Sequence, residues 1–360
     1  MGITSSRPTE STLTNTDEHI AFDGPGFLRL LGNESTDPQI YDVVRNWLEV
    51  ADKRRHKAVG FFLGSASCND DAICSEALLE VSPRTEVSVD EMRPNGPLRG
   101  IVKLIVTRND CSRIVGTGVL IRPDVIAAAG HLLENKGLYA VKVTAHAGYG
   151  SESVQTRRGR CAVVHYEWYH RQHPSNDLAF VRLESEFKHI TPIPFLQTPI
   201  SDGALTGRVY GYSGDIPVRA PGQRLTVSSS SFHYDTRDAS GLGVLQHRAD
   251  TRGGASGGPV LDDNNNLIGI HTGWTRATGH RKVNIAVTVE RQGNEFLKFL
   301  EVLDFMEIEE SRRRRSLPGF VVPWTTVTIG RGLAPTVTVT NLKKLESARW
   351  KGNNGCVYGW

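Results

Sequence analysis

One short segment of the chain combines the residue types that acyl-transfer chemistry requires. Four glycines flank Ser256 within residues 252–260, which read RGGASGGPV. Glycines permit a tight turn and leave the approach to a serine hydroxyl unobstructed, as a nucleophile needs. The backbone N–H groups of Gly254 and Ser256 are candidates for an oxyanion hole. A glycine-rich hairpin turn without catalytic function explains the same residues, so this segment alone leaves both interpretations open.

A serine nucleophile needs a base, and the base needs a carboxylate that orients it. His131 ends the small-residue run VIAAAGH, and Asp177 opens the apolar run DLAFVRL. Taken singly, His131 fits a core histidine and Asp177 fits a turn residue. Their order with Ser256 is His, Asp, Ser, with gaps of 46 (177 − 131) and 79 (256 − 177) residues. Chymotrypsin-type enzymes have this order, which predicts His131 as general base, Asp177 as its orienting partner and Ser256 as nucleophile.

The pentapeptide at 254–258 also has the G-x-S-x-G form of the α/β-hydrolase nucleophile elbow. In that fold a helix follows the serine, and the histidine comes last in the chain. Here Gly258, Pro259 and Val260 and an Asp/Asn turn follow the serine, and the histidine comes first. This context excludes an α/β-hydrolase.

The segments that carry these residues are predicted to be short strands joined by close turns. Two series of six apolar runs are separated by a Pro-rich segment at 191–201, and no helical pattern lies between the runs. Such a pattern favours an all-β barrel or sandwich. An amphipathic helix is predicted over 294–306, and two further strands lie beyond it. The twelve predicted strands are 101–107, 114–121, 125–129, 138–146, 161–166, 177–183, 208–212, 224–232, 244–249, 259–263, 267–271 and 283–287.

Residues from about 87 to 305 resemble trypsin-fold serine endopeptidases, most closely the V8-like glutamyl endopeptidases. The matching segments are GTGVLIRPDVIAAAGH, NDLAFVRL, GYSGDIP, ADTRGGASGGPVLDDNNNLIGIHTGW and NEFLKFLEV. The resemblance implies an all-β fold of two six-stranded antiparallel barrels, at about 87–190 and 200–290, with the triad in the cleft between them. It also implies protein or peptide substrates and an acyl-enzyme, and this chemistry needs no metal or organic cofactor.

The resemblance places four residues in the pocket for the substrate side chain before the scissile bond. His271 and Thr251 lie where glutamyl endopeptidases keep a histidine and a hydroxyl, both of them donors that suit a carboxylate. Trp274 narrows the entrance. Asp250 lies where trypsin-like enzymes keep the aspartate that selects Arg or Lys, and it would repel Glu unless Arg252 or a freed N-terminus neutralises it. Cleavage after Glu, more weakly after Asp, is therefore predicted, with cleavage after Arg or Lys as the alternative.

Residues 1–86 lie outside the resemblance and are predicted to be partly helical, with a helix beginning at Asp37-Pro38. The segment 87–94 resembles the mature start of V8-like enzymes, which use their freed N-terminus in the pocket. The hypothesis is a zymogen whose propeptide is removed near Arg84–Val87. Trypsins pair the new amine with an Asp before the nucleophile, and Ala255 in that position excludes the trypsin switch.

The C-terminal residues 306–360 are predicted to form a basic, β-rich extension. The whole chain carries 42 Lys and Arg against 39 Asp and Glu, a net charge of +3, too small to indicate nucleic acid. Residues 311–360 carry nine basic residues against Glu346, or +8. The run Arg312–Arg315 is interpreted as a solvated linker or as a site for an acidic partner. The sequence contains no run of about 18 apolar residues, so it predicts no membrane span.

The sequence determines neither the cellular compartment of the protein nor the pairing of its cysteines. No secretory signal precedes the first strands, and Gly2 with Ser6 fits a short N-myristoylation pattern, which slightly favours an intracellular location. Five cysteines, an odd number, cannot all pair within the chain. Cys111–Cys161 is one candidate bridge. A non-catalytic binding module on a protease fold is the competing function, and the intact triad argues against it.

Overall fold

The computed structural model describes residues 20–23, 58–63, 84–200, 205–213, 224–234, 243–276, 282–316, 325–330 and 336–341. The strands are β1 (Ile20–Asp23), β2 (Ala58–Phe62), β3 (Thr85–Glu86), β4 (Ile101–Arg108), β5 (Arg113–Arg122), β6 (Val125–Ala128), β7 (Glu134–Asn135), β8 (Leu138–Ala147), β9 (Gln155–His165), β10 (Ala179–Leu183), β11 (Leu205–Gly211), β12 (Thr226–His233), β13 (Leu245–His247), β14 (Pro259–Leu261), β15 (Leu267–Arg276), β16 (Lys282–Thr288), β17 (Thr325–Gly330) and β18 (Thr336–Asn341). The helices are α1 (Val89–Met92), α2 (Gly130–Leu133), α3 (Tyr166–Arg171) and α4 (Phe296–Ser316), with a 3-10 turn at Pro174–Asn176.

The first barrel consists of six antiparallel strands in the order β9, β10, β6, β5, β4 and β8. The long strand β9 closes it, because residues 155–158 pair with β8 and residues 159–164 pair with β10. Strands β6 and β10 are buried along their whole length, which explains why their residues, apart from Arg182 of β10, are apolar rather than alternating with polar ones.

The second barrel consists of β11, β14, β15, β16, β13 and β12, and pairing between β11 and β12 closes it. Each of the twelve predicted strands is present, so the prediction of two six-stranded antiparallel barrels with a C-terminal helix is confirmed. The largest differences are in length. Strand β9 begins six residues before the predicted start at 161, and β15 continues to Arg276.

Strands from both terminal extensions widen the sheet of the first barrel. Strand β2 pairs with β9, β17 pairs with β2, and β18 lies between β17 and β1. The side chains of Ala58 and Phe61 in β2 are buried. The sequence did not predict β2, and it did predict the two strands β17 and β18. The helix predicted after Asp37 lies outside the described residues.

Helix α4 packs against the first barrel and ends at Ser316, ten residues beyond the predicted end at 306. Phe299 stacks on Phe180 of β10 with ring centroids 4.8 Å apart. Asp304 and Glu307 of the helix form ion pairs with the buried Arg182. The run Arg312–Arg315 lies within the last turns of α4, so the interpretation of this run as a linker is wrong.

The candidate disulfide between Cys111 and Cys161 is also wrong. Cys161 is a buried thiol in β9, and Cys111 belongs to a disulfide. Sequence spacing does not determine connectivity, because it does not report which Cα atoms approach within bridging distance.

Replacing Phe299 by Ala should lower the free energy of unfolding by about 3–5 kcal/mol, because a fully buried aromatic side chain would leave a cavity against Phe180. Urea denaturation of the full chain would measure the loss. Leu297→Ala is the matched control, since this side chain on the same helix is 56% exposed and should cost less than about 0.5 kcal/mol. Equal losses for the two variants would contradict the packing of α4.

Candidate active site

His131 and Asp177 form a doubly hydrogen-bonded, buried pair. Asp177 Oδ2 lies 2.7 Å from His131 Nδ1, and Asp177 Oδ1 accepts the backbone N–H of His131, also at 2.7 Å. Both residues are almost wholly buried. A buried carboxylate without partners is unfavourable, and these two donors satisfy one oxygen each. The arrangement fixes the Nδ1–H tautomer of the imidazole and leaves Nε2 as an acceptor.

The absence of a side chain at Gly130 makes this approach possible. A Cβ atom at Gly130 would lie 3.0 Å from Asp177 Oδ1 and 2.8 Å from an indole carbon of Trp168. The Trp168 ring meets the His131 ring edge-on at 6.3 Å, and its Nε1 donates to Glu134 O at 2.8 Å. The glycine before His131 is thus explained by the close packing of the carboxylate and the indole.

The turn that carries Asp177 is anchored to the loop before α4. The side-chain amide of Asn176 donates to Gln292 O at 2.8 Å and to Asn294 Oδ1 at 3.1 Å. Asn294 in return donates to Ser175 O at 2.8 Å. These amides hold the 3-10 turn Pro174–Asn176 to a loop from the second barrel, so the position of Asp177 depends on both barrels. Sequence analysis did not identify this pair of asparagines.

Ser256 lies in a tight turn built on two glycines with positive φ, Gly254 at 95° and Gly257 at 84°. Within the turn, Ala255 N–H donates to Arg252 O, and Gly257 N–H donates to His271 O. The N–H groups of Gly254 and Ser256 take part in neither bond. The glycines therefore form a tight turn, as the sequence predicted, and the oxyanion-hole role of Gly254 and Ser256 stays a prediction.

Thr117 of β5 joins the first barrel to this turn. Its Oγ1 donates to Gly254 O at 2.7 Å and accepts from Tyr212 N at 2.9 Å, and its backbone N–H donates to Ser256 O at 2.8 Å. Thr117 is fully buried, so each of these polar atoms depends on the others. The sequence analysis missed Thr117. Its position in GTGV, a polar residue between glycines in an apolar strand, was the available signal.

The turn of Ser256 lies against the helix that carries His131. A Cβ atom added to Gly257 would lie 2.1 Å from Thr117 O, 3.1 Å from Ala129 N and 3.2 Å from a methyl carbon of Leu132. Residues 129 and 132 flank His131 in the chain. The structure therefore places the turn that carries Ser256 beside the residues that flank His131, and the triad itself stays a prediction.

Of the predicted pocket residues, His271 and Trp274 lie on β15, and Asp250 and Thr251 follow the end of β13 in the chain. Strand β16, which carries Asn284, lies between these two strands. Asn284 is opposite Trp274 of β15 and His247 of β13. Its side-chain amide donates to Ala249 O at 2.7 Å, next to Asp250. Thr251 and Trp274 are half-buried, and Lys282 Nζ lies 4.5 Å from the centre of the Trp274 ring.

His271 is buried and forms a pair with a second buried histidine, His247, which the sequence analysis did not single out. His271 Nδ1 lies 3.2 Å from His247 Nε2. Burial, with a smaller contribution from the charge of His131, lowers the pKa of His271 to about 3, although a backbone hydrogen bond involving Ile285 opposes the shift. Burial and then His271 lower the pKa of His247 well below its usual range. Both rings are neutral at pH 7, when each imidazole carries one proton for donation.

Asp250 is engaged by two arginines at its buried position. Arg84 Nε lies 2.9 Å from Asp250 Oδ2, and Arg252 Nε lies 3.8 Å from Asp250 Oδ1. The side chain of Arg84 is 14% exposed, that of Asp250 is 5% exposed and that of Arg252 is 7% exposed. The backbone N–H of Asp250 donates to Ser228 Oγ at 2.9 Å. The sequence analysis considered Arg252 as a neutralising group and did not consider Arg84.

Residues 116–270 match the family model described as trypsin-like peptidase domain. No protein of curated function matches the chain. Among solved structures, a Glu endopeptidase is similar with 16% identity and a TM-score of 0.49, covering 65% of this chain and all of the other. A thermostable serine protease, AL20, from an extremophilic microorganism is similar with 19% identity and a TM-score of 0.44, and the match covers 60% of this chain and 98% of that protease. The protease Anisep from Arthrobacter nicotinovorans is similar with 16% identity and a TM-score of 0.43, and the match covers 53% of this chain and 90% of that protease.

The family match confirms the enzyme class predicted from the sequence, a serine endopeptidase. A peptidase domain of this class implies protein or peptide substrates. Within the described residues, no helix is both long and apolar enough to cross a membrane. The acidic partner predicted for the basic tail stays a prediction, because the tail side chains lie outside the described residues.

The buried histidine pair should make the protein lose stability in acid. Between pH 6.5, the ordinary pKa of histidine, and the lowered values, the unfolded chain binds more protons than the folded chain. The free energy of unfolding therefore rises with pH through this window, by up to about 1.4 kcal/mol per pH unit for each histidine, and levels off above it.

Urea denaturation at a series of pH values from 4 to 8 would test this dependence. His247→Gln should make the curve shallower below pH 6.5, whereas His233→Gln, at an exposed position in β12, should leave it unchanged. An unaltered acid limb in His247→Gln would contradict the neutral state of the pair.

Proposed function

We propose that this endopeptidase works through the triad His131, Asp177 and Ser256 and cleaves preferentially after glutamate, with aspartate weaker. The observation that carries the catalytic proposal is the buried pair of His131 and Asp177, in which one carboxylate accepts both the ring Nδ1–H and the backbone N–H of the same histidine. A structural histidine needs no second bond that fixes its backbone to the same carboxylate. A general base does, because its Nε2 must face the nucleophile at a fixed distance.

The proposed reaction follows from these positions. Ser256 Oγ attacks the scissile carbonyl carbon while its proton passes to His131 Nε2, and Asp177 stabilises the imidazolium that forms. The oxyanion is held by the N–H groups of Gly254 and Ser256. Collapse breaks the C–N bond, and the proton on His131 goes to the leaving amine. Water then repeats the sequence on the acyl-enzyme, with His131 again as base, and releases the acid and the free serine.

The charges around Asp250 support an acidic side chain in the pocket. Two arginines face one carboxylate, which gives this buried group a net charge of +1. His271 is neutral at pH 7 and supplies a donor rather than a charge. A substrate Arg or Lys would have to compete with Arg84 and Arg252 for Asp250, whereas a substrate carboxylate meets a positive field. Cleavage after Arg or Lys is therefore the less favoured alternative.

The zymogen hypothesis must account for the strands that residues 1–86 form in the folded protein. Besides β1, which pairs with β18, residues 1–86 contribute β2 and β3, which pair with β9 and β12 of the two barrels. Release of the whole segment would uncover both partners. We retain removal near Arg84–Val87 as a hypothesis, and intact-mass measurement of the active protein would decide it. An active protein that still carries its first 86 residues would exclude it.

The proposed activity predicts a defined cleavage profile. Full-length protein incubated with a mixed peptide library should generate new C-termini ending in Glu, and mass spectrometry would identify them. Ser256→Ala should lower turnover by about 10⁴-fold or more, because the nucleophile is removed while the fold is kept. Cuts after Arg or Lys would overturn the glutamate preference and keep the triad. Full activity in Ser256→Ala would overturn the triad, and no cuts by the unaltered protein would favour a non-catalytic binding module.

Thr117 should act as a positioning residue for the oxyanion turn. Thr117→Val keeps the shape but leaves Gly254 O and Tyr212 N without the hydroxyl, so kcat should fall about 10- to 100-fold with little change in KM. Steady-state kinetics on a peptide with Glu before the scissile bond would measure this.

Thr117→Ser is the matched variant, because it retains the hydroxyl and loses only the methyl group. It should recover most of the kcat. A Thr117→Val protein with unchanged kcat, or equal losses in both variants, would show that the hydroxyl does not position the turn.

A further inference from the structure

We propose that Arg84, which lies upstream of the predicted protease domain at 87–305, is a specificity-determining residue of the substrate pocket. Its guanidinium would cancel the charge of Asp250 and thereby turn the pocket from one that suits a cation into one that suits a carboxylate. This inference rests on the proposed function, since it concerns the preference of the same site. It assigns the determinant of that preference to a segment outside the domain that carries the triad.

The backbone holds Arg84 at this place through strand pairing. The residues after it form β3, in which Thr85 and Glu86 lie opposite Val227 and Thr226 of β12. Val87 N–H continues the pairing by donating to Leu225 O at 2.9 Å. The same strand β12 supplies Ser228, whose hydroxyl accepts the N–H of Asp250. One strand of the second barrel therefore positions both partners of the ion pair.

Burial distinguishes this ion pair from its neighbour on the same strand pair. The side chains of Arg84 and Asp250 are 14% and 5% exposed, with Nε and Oδ2 at 2.9 Å. Arg224 and Glu86 are also 2.9 Å apart, but both are about half exposed. An exposed pair contributes little, whereas loss of one partner of a buried pair leaves an uncompensated charge. Arg84 consequently determines whether a substrate side chain meets a neutralised or an uncompensated carboxylate at Asp250.

The sum of the charges gives the direction of the effect. With Arg84 present, Asp250 and the two arginines total +1. Without Arg84, Asp250 and Arg252 total zero, and the Arg252 Nε is 3.8 Å away, too far for a direct hydrogen bond. The carboxylate is then available to a substrate Arg or Lys. The enzyme that prefers Glu must therefore retain Arg84, so the propeptide cut hypothesised near Arg84–Val87 preserves this preference only if it lies on the N-terminal side of Arg84.

The test compares kcat/KM for two peptides that differ only in Glu or Arg before the scissile bond. In Arg84→Gln, kcat/KM for the Glu peptide should fall about 10- to 100-fold, and that for the Arg peptide should rise. Adding Asp250→Asn to Arg84→Gln removes the uncompensated anion and should restore the Glu preference to within about threefold of the unaltered protein. Arg224→Gln, which breaks the exposed pair of the same strands, should leave the ratio unchanged.

Labelling with a fluorophosphonate measures the reactivity of Ser256 without using the pocket charge. An Arg84→Gln protein that labels normally and keeps the original Glu-to-Arg ratio would overturn the inference and leave the proposed function intact. If Arg84→Gln fails to label, Asp250→Asn alone decides. It removes the carboxylate that a substrate Arg or Lys would need, so it should keep the Glu preference, and a shift of the preference to the Arg peptide would overturn the inference. Failure of the unaltered protein to label or to cut either peptide would instead refute the proposed function.

Discussion

The buried carboxylate of Asp177 is the constraint on which the arrangement of the site depends. A charge in this position must be compensated, and the compensation comes from two donors of one residue, His131. That geometry demands Gly130, because a side chain there would displace either the carboxylate or Trp168. It also demands that the turn before Asp177 be held from the second barrel by Asn176 and Asn294. The packing of the two barrels and the orientation of the imidazole are thus parts of one requirement.

The two barrels meet at the site through buried polar contacts rather than through apolar packing alone. Thr117 of the first barrel connects with Gly254, Ser256 and Tyr212 of the second. Hydrogen bonds of this kind are directional, so they fix the angle at which the barrels approach, whereas apolar surfaces can slide. A small displacement of one barrel would therefore alter the backbone of the nucleophile turn and the orientation of His131 together.

The strands and the two barrels could be predicted from the sequence because they have local patterns, whereas the pairing of His131 with Asp177 was predicted from their order with Ser256 along the chain. Apolar runs between turns specify strands such as β10, and glycines specify the turn at Gly254 and Gly257. Arg84 had no such pattern, and Thr117 had only its place between two glycines, because the importance of both arises from contacts with residues 166 and 137 positions away in the chain (250 − 84 and 254 − 117). Strand β2 was missed for the same reason, since its pairing partners are β9 and β17. The end of α4 was misplaced because a run of arginines resembles a linker although arginine is a good helix former.

Strand β2 lies between β9 and β17 and is thereby held on both edges by backbone hydrogen bonds. A protease that cut the chain between residues 63 and 84 would produce two polypeptides, and the strands of both would stay paired in one sheet. The smaller fragment would stay attached, as a subunit does in a heterodimer, and would leave only under denaturing conditions. Maturation by such a nick would change the covalent chain and preserve both the sheet and the arginine that precedes β3. The same sample would then run as one species by gel filtration and as two in a denaturing gel.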